Sequence, residues 1–87
     1  MNLCVVKLFE DNFQVGLAVT ASNWDEAYRA AEEFALGEYE ARKIDASEDP
    51  TLIQRIQEDF REDNYHFIDG ELGEIGKGVA VQIIILE

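Results

Sequence analysis

Eighty-seven residues suffice for one compact domain, burying roughly 60–65% of the surface that the unfolded chain exposes. An apolar share of 47% separates the chain from disordered acidic tails, and a formal charge of −12, from 19 acids against 7 bases, disfavours direct contact with nucleic acid or anionic membranes, whose phosphates call for lysine and arginine. A single cysteine, Cys4, excludes an internal disulfide, and no run reaches the ~18 apolar residues of a membrane span.

Met1 leads straight into a strand-like run, with no basic and apolar leader, so a cytoplasmic location is expected. Leu3 to Phe9 reads as a strand, with Leu3, Val5 and Phe9 on one face, interrupted by Lys7, and Cys4, Val6 and Leu8 on the other. Glu10-Asp11-Asn12 is a turn signal, because Asp and Asn tolerate left-handed backbone and bond to their own chain. Phe13, Val15, Leu17 and Val19 then alternate with Gln14, Gly16, Ala18 and Thr20, the pattern of a half-buried strand, and the two runs predict an N-terminal hairpin.

Ser22 or Asn23 offers a helix N-cap, with Asp25 and Glu26 in the first turn where the helix dipole favours anions. Trp24, Ala27, Tyr28, Ala31, Phe34 and Ala35 form one apolar stripe, and Gly37 stands where a helix commonly stops. Trp24 and Tyr28 are expected in the core, although both are residues typical of binding hot spots. From Ala41 to Asp45 a short, charged edge strand is expected.

Asp49 and Pro50 open a second helix, Pro50 at a first helical position that needs no N–H. Leu52, Ile53, Ile56 and Phe60 form its buried stripe, with Gln54, Arg55, Glu58, Asp59 and Glu62 opposite, and it should end near Asp63-Asn64. Tyr65 to Ile68 reads as a short strand. Val79 to Leu86 is the most apolar run of the chain, with Val79, Val81, Ile83 and Ile85 on one face and Ala80, Ile84 and Leu86 on the other, which marks a central strand. These two strands should pair antiparallel. The whole predicts an α+β fold of order β-β-α-(β)-α-β-β, a mostly antiparallel sheet of about four to five strands with two helices packed on one face.

Chemistry is hard to find in this sequence. Gly70 to Gly78 is glycine-dotted and contains Gly76-Lys77, but it lacks the phosphate-loop spacing, is followed by a strand, and holds Glu71 and Glu74 where phosphate would approach; a connecting loop is the plainer reading. With one histidine, His66, and one cysteine there is no zinc site, and Asp69-Gly70-Glu71 lacks calcium-loop spacing. His66 is expected at the sheet surface or partly buried, and Cys4 as a small core residue. No cofactor, no metal and no catalysis are expected.

The acid distribution is more informative. Glu58, Asp59, Glu62, Asp63, Asp69, Glu71 and Glu74 crowd one stretch with a single base, Arg61. Glu58/Glu62 and Asp59/Asp63 are one helical turn apart, and each such like-charge pair costs a few tenths of a kcal/mol. The plain reading is a solvated face that keeps the protein soluble. The functional reading is a docking patch for a basic partner protein, including mimicry of duplex DNA, which carries about one charge per 1.7 Å of axis.

The acid excess, the small single domain, the absence of a cofactor motif, and a hairpin followed by the helix Asn23-Trp24-Asp25-Glu26-Ala27-Tyr28-Arg29-Ala30-Ala31-Glu32-Glu33-Phe34-Ala35 resemble small acidic proteins of bacteriophages and mobile elements, among them anti-CRISPR proteins and DNA mimics. The resemblance implies a stoichiometric inhibitor that blocks a nucleic-acid-binding surface of a bacterial defence complex. The alternative expectation is an assembly subunit that forms homo-oligomers, or that binds a partner through an exposed sheet edge or face supplied by the hairpin and the last strand.

Overall fold

The computed structural model describes residues 2–9, 14–69 and 78–86, without the side chains of Gln14 and Ser47. Strands β1 (Asn2–Phe9) and β2 (Gln14–Ala21) are followed by helix α1 (Trp24–Ala41), a 3-10 turn (Ala46–Glu48), helix α2 (Pro50–Asp63), and strands β3 (Tyr65–Ile68) and β4 (Val79–Leu86). All strand pairs are antiparallel and the sheet order is β2-β1-β4-β3. The fold is α+β, as the hydrophobic periodicities predict. β4 is central, flanked by β1 and β3, and so offers no free edge. The predicted Glu10–Asn12 turn, Phe13 and the 70–77 glycine stretch lie outside the described residues.

Both helices pack on one face of the sheet. Leu3, Val5, Val81, Ile83 and Ile68 meet Ala27, Ala31 and Ala35 of α1 and Ile56 and Phe60 of α2 in one core. The three alanines recur every fourth residue and are fully buried, so α1 lies close to the strands. Tyr28 with Arg61 and Glu32 with Gln57 are matched one turn forward on α1 and one turn back on α2, so the helices run antiparallel. The Cα atoms span 17 Å along the shortest axis, which accommodates one sheet and one helix layer.

The start of α1 follows the capping expectation. Asn23 Oδ1 accepts from Glu26 N at 2.9 Å, and Glu26 Oε2 accepts from Ser22 N at 2.9 Å. Its end does not. Gly37 lies exposed inside the helix, which continues for four more residues to Ala41. The stop is made by Lys43, at φ 61°, with Lys43 N donating to Glu40 O at 2.9 Å and Ile44 N to Tyr39 O at 2.9 Å. This is a Schellman motif with lysine in the position that glycine usually takes. The extra turn brings Glu38, Tyr39 and Arg42 into the interior, and the tertiary contacts they make override the local stop signal. It also removes the edge strand expected at Ala41–Asp45, so the sheet has four strands.

A Cβ added at Gly37 would meet nothing within 4 Å. Gly37→Ala is therefore expected to stabilise the protein by about 0.5–1 kcal/mol, which thermal melting would show as a rise of a few degrees.

The hairpin departs from its predicted alternation at one point. The register shifts between Lys7 and Leu8, so Leu17 pairs with Lys7 on the helix side while Val15 pairs with Leu8 on the opposite side. Gly16 sits at this bulge with the Phe9 ring against it, too close for any Cβ. Val15 is thus exposed rather than half-buried, and Leu17 lies at the rim.

Candidate interaction surfaces

Thirteen of the 19 acids and five of the seven bases fall in residues 24–63, so the helix layer and its connections carry a formal −8. Among the predicted docking residues, Glu58, Glu62, Asp63 and Asp69 are exposed. Glu58 accepts a hydrogen bond from Gln54 Nε2 at 2.9 Å. Asp59 is half-buried and faces the core side of α2, where its Oδ2 lies 2.7 Å from His66 Nδ1. That bond draws it away from the outward row, which keeps Glu58 and Glu62 one turn apart and Asp63 beside them. Glu71 and Glu74 lie outside the described residues. On α1, Asp25, Glu26, Glu33 and Glu40 are also exposed.

Two polar groups that the sequence reading missed lie beneath this layer. In the first, Lys7 Nζ donates to Glu38 Oε1 and Arg42 Nη1 donates to Glu38 Oε2, each at 2.6 Å. Burial pushes the Glu38 carboxyl up, but the hydrogen bonds and charges of Lys7 and Arg42 outweigh it and hold the group below its ordinary value. In the second, Tyr39 Oη is 2.9 Å from His66 Nε2, and His66 Nδ1 bonds Asp59. A carboxylate only accepts, so Nδ1 carries the proton, and the tautomer with hydrogen at Nδ1 alone leaves Nε2 to accept the Tyr39 hydroxyl. Burial pushes the Tyr39 hydroxyl up, with Arg55 and Arg42 opposing and Asp59 adding to the rise. His66, expected at the surface or partly buried, is buried because β3 turns it inward opposite Val81. The only sequence signals for these groups were Lys7 breaking an apolar face and the i, i+4 spacing of Glu38 and Arg42.

The line Tyr39–His66–Asp59 has the residue types of an acid–base relay but not the access. Tyr39 and His66 are each 4% exposed, so no substrate reaches the ring. The line ties α1, β3 and α2 together instead. A cleft of about 540 Å³ at the end of α1, lined by Leu36, Glu40, Lys43, Ile44, Asp45 and Ala46, holds no hydroxyl, thiol or imidazole in that lining. Among the described residues no group of three or more histidine, cysteine or carboxylate side chains is arranged to hold a metal ion, and no helix is long and apolar enough to cross a membrane.

The other face of the sheet is covered by none of the described elements. The strand registers set four rows across it: Val15–Leu8–Ala80–Phe67, Ala18–Val6–Gln82–Tyr65, Thr20–Cys4–Ile84 and Asn2–Leu86. None of these thirteen positions is charged. Cys4 belongs here, half-buried, rather than in the core, because its neighbours Leu3 and Val5 take the helix side. Val6 and Ala80 are buried toward the middle, whereas Val15, Tyr65, Phe67, Ile84 and Leu86 are 36–55% exposed. Five large apolar side chains on one uncharged face are unusual for a soluble monomer surface. Comparison of the chain with protein-family models, with curated proteins and with solved structures gives no match.

Proposed function

We propose that the chain is a non-enzymatic protein-binding module whose acidic helix layer docks on a basic, nucleic-acid-binding surface. In this role it acts as a stoichiometric inhibitor of a bacterial defence complex in the cytoplasm, in the manner of anti-CRISPR proteins and DNA mimics. The observation that carries the proposal is the segregation of charge: −8 on residues 24–63, with Glu58, Glu62 and Asp63 exposed at the end of a rigid helix, against an uncharged outer sheet face. Carboxylates held on a rigid scaffold match an arginine- or lysine-lined groove with little further ordering, and their field speeds the encounter.

The test is capture from bacterial lysate at low salt by the immobilised protein, followed by stepped salt and by competition with duplex DNA. The expected result is a nucleic-acid-binding complex that leaves at moderate salt, is displaced by the DNA, and is not retained by the variant Glu58→Lys/Glu62→Lys/Asp63→Lys. Equal retention by this variant contradicts the proposal.

One observation favours a second reading, an assembly role. The outer sheet face is apolar at ten of its thirteen positions, Asn2, Thr20 and Gln82 being the polar ones. Such a face supports association that salt does not weaken.

A further inference from the structure

We infer that the partner of the outer sheet face is a second copy of this chain, packed sheet on sheet so that the two acidic helix layers face away from each other. The inference rests on the assembly reading and is independent of acidic docking. Three properties of the face support it.

The first is its charge. A basic partner finds no carboxylate among the thirteen positions, and an anionic membrane or nucleic acid meets no lysine or arginine there while facing a chain of net charge −12. The matching surface is another uncharged apolar face, and an identical copy presents one. The second is area. Three strands of eight residues and one of four cover about 450 Å² in projection, so two copies bury roughly 900 Å² before side-chain relief is added, close to the ~1,000 Å² at which a biological interface begins. The third is the cost of bringing two acidic chains together. With sheets about 10 Å apart and a helix layer outside each, the helix layers lie about 30 Å from one another, several screening lengths at physiological salt.

The face is a better surface for this than the edge. β4 is paired on both sides, β3 is four residues long, and the β2 edge carries the Gly16 bulge, a device that discourages strand addition. A two-fold axis through the face would place Phe67 and Ile84, 44% and 37% exposed, inside the contact from both copies.

Sedimentation equilibrium over a wide concentration range tests the inference. The wild-type protein is expected at twice the 9.9 kDa chain mass, with association unchanged or tightened as salt rises. Phe67→Glu/Ile84→Glu, which places like charges in the contact and replaces no buried residue, is expected to keep the circular dichroism of the wild type and raise the dissociation constant ~100-fold or more. The helix variant Glu58→Lys/Glu62→Lys/Asp63→Lys should dimerise as the wild type does. A wild-type monomer up to millimolar concentration overturns the inference and reduces the assembly reading to a contact with a different protein. An oligomer that survives the Phe67/Ile84 substitutions, or that salt dissolves, overturns the inference and leaves assembly to another surface.

Discussion

Replacing Glu38 by alanine is expected to remove about 3–5 kcal/mol of stability, a large part of the total for a domain of this size. The carboxylate is shared by Lys7 from β1 and Arg42 from the end of α1, and the Arg42 side chain is fully buried. Removing the anion takes from Lys7 and Arg42 a carboxylate that offsets part of the cost of holding them at the helix–sheet boundary. Denaturant unfolding should show the midpoint shifted with an unchanged slope, and thermal melting a fall of more than ~10 °C. The control is Glu38→Leu combined with Arg42→Met. Replacing a buried ion pair by apolar groups of similar volume is often neutral, so this double variant should regain most of the loss. A Glu38→Ala variant as stable as the wild type would show that the pair contributes nothing.

The same cluster sets an acid limit. The fold holds Glu38 below its ordinary value of 4.5, so its contribution is complete above that value and is lost as pH falls through the lower, folded-state value. Tyr39 acts at the other extreme. Its hydroxyl is raised above 10.0, so its contribution is complete below that pH and is lost as pH rises through the folded-state value.

His66→Ala is the second large effect, expected at about 3 kcal/mol. The ring lies between Tyr39 and Phe60, with centroids 6.0 and 5.9 Å away, and bonds both Tyr39 and Asp59. Alanine leaves a void against Phe60 and strips the Tyr39 hydroxyl of its acceptor. Tyr39→Phe keeps the ring and loses one hydrogen bond, at about 1–2 kcal/mol. Because both changes break the same bond, the double variant should be less destabilised than their sum, by roughly 0.5–1.5 kcal/mol. Simple additivity would argue that the Tyr39–His66 bond contributes no net stability.

The two surfaces carry opposite expectations for salt. Docking through exposed carboxylates weakens as ions screen it, whereas an apolar sheet contact between acidic chains gains from screening. The separation arises from the layering itself. A sheet covered on one side by two amphipathic helices exposes the helices' polar faces on one side and its own back on the other. Among the described residues the helix layer is acidic and the outward-facing strand positions are uncharged.

Most of the layering was legible in the chain. The strand-length, β-branched apolar runs Leu3–Phe9 and Val79–Leu86, the alanine-rich stripe from Ala27 to Ala35, and Asp49-Pro50 before Leu52 each carry a length, a period or a cap that favours one local structure. The acid excess and the crowd of acids between Glu58 and Glu74 were equally plain. Four things were decided only in three dimensions. Gly37 stays helical because the next turn buries Tyr39 and pairs Glu38, a gain larger than the cost of one glycine. Val15 changes sides because a bulge at Gly16 shifts the register, which strict alternation cannot reveal. His66 is buried, and Asp59 is turned toward it and half-buried, because β3 and α2 meet at that point. The outer face of β4, apolar in sequence, has no described element over it, because both helices pack on the same side of the sheet. Periods and caps act within a few residues and can be read from the chain, whereas which side a helix packs on, and which face is left open, depends on contacts between residues far apart in it.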